Sequence, residues 1–189
     1  MTPGIFHVVI ALVSLAGASA AAPVIHIPAG AFRMGSAAGP GDEQPAHEVM
    51  LAAFAIDRTP VTNAQFAEFL NVVGPRNAKG VRLFDDDDPD ARVHLLPGRW
   101  RADSGFEDHP AVEVSFRGAT EYCARAGMRL PSEAEWEKAA RGNDGRRYPW
   151  GNEAPDATRA RFGAPFNATV PVDSYPTAEL IERLSGGAT

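Results

Sequence analysis

The chain has 189 residues, 44% of them apolar and 22% charged, with a formal net charge of −6. That composition suits one globular domain with a sizeable core, and its acidic balance argues against a nucleic-acid or anionic-membrane surface. Sixteen prolines and eighteen glycines imply many turns and short regular elements.

At the N-terminus, Ile5 to Ala16 is a mostly apolar run interrupted by His7 and Ser14. It is too short to span a bilayer as a mature helix. Ala18-Ser19-Ala20 follows with small residues at the positions a signal peptidase prefers. Residues 1–20 therefore read as a signal peptide cleaved after Ala20, and the protein as exported (periplasmic or secreted), with no membrane attachment after cleavage. The n-region has no Lys or Arg and carries positive charge only on its terminal amine.

Val24 to Pro28 alternates weakly and is a first strand, and Glu48 to Ile56 a second, with Val49, Leu51 and Phe54 as its apolar residues. The first helix starts at Thr62, with Gln65 completing a capping box and Val61 and Phe66 a hydrophobic staple. Phe66, Phe69, Leu70 and Val73 recur at helical spacing and form its buried face; Gly74-Pro75 ends it. From Arg76 to Pro110 the chain reads as loops. Asp85 to Asp88 and Asp90 lack the alternating ligands, glycine and terminal glutamate of an EF-hand, so the run reads as a solvated acidic loop and not a calcium site.

A second helix runs from the N-cap Ser115 to Ala126 and stops at Gly127, with Ala119, Tyr122, Cys123 and Ala126 as its buried stripe. The third begins at the Ser132-x-x-Glu135 capping box, with Trp136, Ala139 and Ala140 facing inward and Gly142 closing it. Cys123 is the one cysteine. No intramolecular disulfide can form, and a place on the apolar side of the second helix favours a buried free thiol.

The histidines, His7, His26, His47, His94 and His109, show no metal-ligand spacing on one helix. There is no H-E-x-x-H, C-x-x-C, G-x-S-x-G, P-loop or dinucleotide fingerprint. His109, before Pro110, reads as structural, and Asn167-Ala168-Thr169 is a glycosylation sequon.

The most specific stretch is Arg129-Leu130-Pro131-Ser132-Glu133-Ala134-Glu135-Trp136-Glu137, continued by Ala139-Ala140-Arg141-Gly142 and by Tyr148-Pro149-Trp150-Gly151-Asn152. It resembles the signature of the formylglycine-generating (sulfatase-modifying factor) family. Four more blocks agree in order: Phe32 to Ser36, Asp42 to Val49, Phe54 to Phe66, and His109 to Phe116 with Ala119, Tyr122, Cys123 and Gly127. The resemblance covers roughly Ile27 to Pro176. It implies an irregular, loop-rich α+β fold related to C-type lectins. It also implies a chemistry in which a client sulfatase cysteine is oxidised to formylglycine by oxygen, at a copper ion held by two cysteines in the C-terminal third. Calcium ions brace the fold in that family.

Several positions depart from the pattern. Pro60 stands where formylglycine generators often carry glutamate, and Arg125 where tryptophan follows Tyr-Cys. Arg161 replaces an asparagine that helps hold calcium in the family, and a guanidinium cannot ligate a cation. One cysteine cannot supply a copper-binding pair, so neither metal is supported by the residues present. After Pro176, residues 177–189 match none of the family's glycine-rich continuation. The expected organisation is a family domain at 21–176, incomplete at its C-terminus, with a divergent tail at 177–189. If the family's remaining part packs on the second and third helices, Tyr122 and Trp136 are left partly exposed here. The reading is a family member truncated and inactive alone, with no catalytic or metal-binding residue assigned. The alternative is an exported, non-catalytic binding module for a sulfatase-like protein client or a glycan. Asn63, Trp150 and Asn152, in loops that match the family blocks, are the candidates for lining a cleft.

Overall fold

The computed structural model describes residues 24–163 and 169–175. The expected signal peptide, the tail and the sequon's Asn167 lie outside the described residues.

Strand β1 (Val24–Ile27) buries Ile25 and Ile27 and turns Val24 and His26 outward, the period of a half-buried strand. It pairs antiparallel with β4 (Phe54–Asp57), Ile25 opposite Ile56. A second ladder, β2 (Gly30–Met34) with β3 (His47–Leu51), is nested between those two in sequence, with Phe32 opposite Val49. The stretch from Glu48 to Ile56 is thus two strands in two ladders, where one was expected. Parity is the physical reason: Val49 and Leu51 share one face of an extended chain, whereas Phe54 and Ile56 fall on the other. A break at Ala52-Ala53 resolves the conflict.

A third ladder, β5 (Val93–Leu96) with β6 (Arg99–Ala102), occupies a region that read as loop. Its two-residue connection is Pro97-Gly98, with Gly98 at φ +77°, as a turn with proline first and glycine second requires.

Helix α1 (Asn63–Val73) has the expected capping box: Thr62 Oγ1 accepts from the Gln65 amide at 3.2 Å and the Gln65 side chain accepts from the Thr62 amide at 2.9 Å. Its apolar face and the β5–β6 ladder enclose the main core of Phe66, Phe69, Leu70, Leu83, Phe84, Val93 and Trp100. Phe66 and Phe84 rings lie 5.6 Å apart, and Trp100 meets Phe84 edge-on at 6.3 Å. Helix α2 (Phe116–Arg125) buries only Gly118 fully; Ala119, Tyr122 and Cys123 are half-buried and Ala126 is exposed, a thinner stripe than its pattern suggested.

Helix α3 (Glu133–Arg141) packs Ala139 on Ile25 and Ile27 in a smaller second core. Its inward face is Glu135, Lys138 and Ala139, not Trp136, Ala139 and Ala140. Trp136 is 63% exposed, and Ala140 is half-buried. The polar residues are tolerated inside because their heads are satisfied. Lys138 Nζ donates to the Pro28 and Gly30 carbonyls at 2.9 and 3.0 Å, and Glu135 accepts from Arg129 and from the Ser132 amide. Among the described residues, short strands, three α-helices and long connections make an irregular, loop-rich α+β fold.

Candidate functional site

The outward face of α3 forms one wall of a cleft of about 1050 Å³. The opposite wall is the connection between β2 and β3, which contains a single 3-10 turn at Gly41–Glu43. This connection is folded by its own backbone: Ser36 N donates to the Glu43 carbonyl at 3.0 Å, and Gly35 takes φ +79°. A Cβ at Gly35 would lie 2.5 Å from the Glu43 carbonyl oxygen, so only glycine fits there. The C-terminal half of α3 grips it. Gly35 N donates to Glu137 Oε1 at 2.8 Å, and Arg141 donates to the Gly35 carbonyl at 3.2 Å and to Glu137.

Arg147 and Tyr148 complete the lining. They belong to a tight turn in which Tyr148 N and Gly151 N donate to each other's carbonyls at 2.9 and 3.0 Å. Trp150 stacks on Tyr148, ring centroids 5.1 Å apart and planes 10° from parallel, and its indole donates to the Glu153 carbonyl at 3.0 Å. Asn152 Oδ1 accepts from the Arg147 amide at 2.9 Å. Trp150 and Asn152 therefore support the residues of the cleft wall from behind. Asn63 does not join them. It is buried at the start of α1, its side-chain amide donating to the Phe106 carbonyl at 2.9 Å and its backbone amide to the His109 carbonyl at 2.8 Å. Among the cleft-lining residues that sequence reasoning missed are Glu133, Trp136 and Tyr148. Trp136 was read as core because tryptophan at helical spacing usually is.

Cys123 lies half-buried on α2. Burial, and after it the negative charge of Asp57, push its thiol above the ordinary value. That is opposite to the electropositive setting of reactive thiols and thiolate ligands. With a second thiol absent from the whole sequence, the residues present do not fit a two-thiolate copper site.

Oxygen ligands are gathered elsewhere. Carboxylate oxygens of Asp88, Asp90 and Glu113 lie within 4.8 Å of one another. Two come from the run read as a solvated acidic loop. The third arrives from 23 positions along the chain, because Asp85 N donates to the Glu113 carbonyl at 2.9 Å and Phe84 bridges Val114. Burial, then the charges of Asp88, Asp90 and Asp85, raise the Glu113 carboxyl. Hard oxygen donors of this kind suit calcium or magnesium and not copper, and three carboxylates supply part of a calcium shell of 6–8 oxygens. No sequence signal links Glu113 to the run. His109, read as structural, donates or accepts at Thr169 Oγ1 across 2.8 Å and packs on Phe106.

An irregular α+β frame whose cleft is assembled from an F-x-M-G-S connection and an E-A-E-W-E helix defines a formylglycine-generating-enzyme type of domain. Residues 11–183 match the sulfatase-modifying factor enzyme 1-like domain, and the chain belongs to that family. It is 41% identical over 162 residues to serine/threonine-protein kinase Pkn1 of Chlamydia trachomatis, a match covering 83% of this chain and 25% of that protein. It is 38% identical over 165 residues to the formylglycine-generating enzyme of Mycobacterium tuberculosis, covering 69% of this chain and 55% of that protein. The structure of PvdO from Pseudomonas aeruginosa superposes with a TM-score of 0.57 at 30% identity, covering 81% of this chain and 62% of that one. The chain thus spans between a quarter and about half the length of these curated relatives.

Proposed function

We propose that these 189 residues form an exported, non-oxidising member of the family that binds a protein partner in the α3 cleft. One observation carries the reading. The one thiol of the sequence is half-buried, and burial and then Asp57 push its pKa up, while the cleft is lined without any cysteine. Copper-dependent oxidation of a client needs a thiolate pair; binding needs a shaped cavity with a few placed polar groups. The match to part of a protein named as a kinase supports a domain that can serve other ends than cysteine oxidation. Export rests on the apolar run before Ala20; among the described residues no helix is long and apolar enough to cross a membrane.

The second reading is a cysteine oxidase acting on a sulfatase-like client, favoured by the shared signature. A cysteine-containing client peptide incubated with the chain, copper(I) and oxygen separates the two. Mass spectrometry should find the peptide's cysteine unconverted. Formylglycine that appears with the wild type and vanishes with Cys123→Ser would sink the non-oxidising reading.

A further inference from the structure

Residues 35–46, which form one wall of the cleft, make a loop with a narrow neck. Met34 and His47 pair across its base, and a Cβ at Gly35 would lie 3.3 Å from the Pro45 carbonyl oxygen and 3.6 Å from the Ala46 Cα. Surface loops of about 6–16 residues whose ends lie close together are held in shape from within. Here Ser36 N donates to the Glu43 carbonyl and Glu43 N to the Pro40 carbonyl, each at 3.0 Å, and the Gln44 side chain donates to the Gly39 carbonyl at 2.7 Å. The loop is one internally braced piece. Its hold on the body is weaker. No residue from 35 to 46 is buried, so no apolar side chain anchors it. Among the described residues, the hydrogen bonds that fix it to α3 both fall at Gly35, one on the Glu137 carboxylate and one from the Arg141 guanidinium.

Arg141 keeps that carboxylate in place. Its guanidinium donates to Glu137 and, through Nε, to the Arg146 carbonyl at 2.8 Å. The second bond anchors it in the turn that leads to Arg147 and Tyr148 on the cleft lining. A segment without buried apolar contacts belongs to the least stable part of a fold, where local opening is easiest. Releasing this loop needs only the two bonds at Gly35 to break, with the backbone turning at the neck, as hinged segments do. The cleft of about 1050 Å³ that Ala38, Gly39 and Pro40 share with Trp136 gives it room to move. We infer that residues 36–45 are a gate over the outward face of α3. It swings as one rigid piece about Gly35 and Ala46, with the Glu137 carboxylate as its latch and Arg141 as the residue that positions the latch. The gate belongs to the chain alone, whatever the cleft binds.

Amide hydrogen exchange of the full chain, with no ligand added, separates a swinging gate from a loop that frays. In Glu137→Ala the Gly35 amide should exchange at least about tenfold faster than in the wild type, the loss expected when a hydrogen bond to a charged group is removed. The amides of Ser36, Glu43 and Gln44, whose partners lie within the loop, should stay within about twofold of their wild-type rates, because a rigid piece keeps its inner bonds as it moves. Phe66 and Leu70 of the main core should be unchanged, since alanine favours the helix at position 137. Glu137→Gln, which keeps an acceptor oxygen for Gly35, should lie between the two. An unchanged Gly35 amide in Glu137→Ala overturns the latch. Joint acceleration of Gly35, Ser36, Glu43 and Gln44 overturns the rigid gate. Spin labels on Ala38→Cys and Glu133→Cys, in a Cys123→Ser background, read the swing itself. Glu137→Ala should broaden their distance distribution and move it to longer values; a distribution identical with and without the latch overturns the inference.

Discussion

Gly118 rests directly on the carbonyl of Leu83. A Cβ built on Gly118 would lie 2.0 Å from that oxygen and 2.9 Å from its carbon. The contact is fixed from both sides, because Ser115 N and Ser115 Oγ also donate to the Leu83 carbonyl, each at 3.1 Å. Leu83 is itself wholly buried in the main core. Gly118→Ala should therefore push α2 off the core and cost about 1–3 kcal/mol or more, the range for overpacking against atoms that cannot yield. Urea denaturation reads this directly. An unchanged midpoint would mean that α2 slides freely over residues 82–84.

Lys138 places an ammonium inside the protein with two backbone carbonyls and, among the described residues, no carboxylate on it. Lys138→Met keeps the apolar stem but orphans the Pro28 and Gly30 carbonyls, at an expected cost of about 1–3 kcal/mol. Burial holds the Lys138 pKa below its ordinary 10.5. The unfolded chain then binds more protons in the window just below 10.5, so stability from this group rises with pH there. Denaturation of the wild type and of Lys138→Met between pH 8 and 10.5 should show the gap between them widening. A narrowing gap contradicts the burial of the charge.

The N-terminus of α3 is closed by a reciprocal pair. Ser132 Oγ accepts from the Glu135 amide at 3.3 Å, and Glu135 accepts from the Ser132 amide at 2.8 Å. Ser132→Ala should cost about 0.5–2 kcal/mol. The Arg129 guanidinium, then the Ser132 amide, hold the Glu135 carboxyl down at about 2, against an ordinary 4.5. A depressed carboxyl stabilises the folded chain above its unfolded pKa and loses that contribution as pH falls through the folded one. The difference between wild type and Glu135→Gln should be full at pH 7 and fade between pH 4.5 and about 2. A difference that persists unchanged to pH 2 would assign it to packing alone.

Glu113 behaves in the opposite sense. Its carboxyl is raised above 4.5 by burial and by the neighbouring aspartates, and its backbone sits at φ +58°, an uncommon place for a non-glycine residue. A raised carboxyl favours folding when protonated, so its contribution is present below pH 4.5 and lost as pH rises through the folded value. Glu113→Gln should raise the melting temperature at pH 7 and give no gain below pH 4.5. A loss of stability at pH 7 in the absence of divalent cations would refute this.

The helices were legible because their ends are written locally. Thr62, Ser115 and Ser132 supply capping oxygens, Gln65 and Glu135 sit three residues on from their partners, and Gly74 and Gly142 follow the last turns. The β5–β6 ladder was not legible. Its strands contain one buried residue each, Val93 and Trp100, too few to set a period. The orientation of α3 was misread for a different reason: Lys138 is satisfied by carbonyls 110 and 108 positions away, and no local pattern reports such partners. The P-W-G turn marked Trp150 and Asn152, but that they act through Tyr148 and Arg147 is a fact of stacking and backbone hydrogen bonding. Asn63 drew attention by its place in a family block, and its burial explains that place by packing.

Because β1 and β4 close on each other, everything from residue 28 to residue 53 is an excursion from a clamped base. The wall of the cleft, residues 35–46, is the tip of that excursion, and it is tied to the rest mainly through Gly35, Glu137 and Arg141. Lineages descended from such a scaffold can lengthen, shorten or rewrite this tip while α1, α2 and the main core stay as they are. Under the proposed binding role, selectivity can then diverge faster than architecture, and grafting a relative's connection between Met34 and His47 is the direct way to alter it.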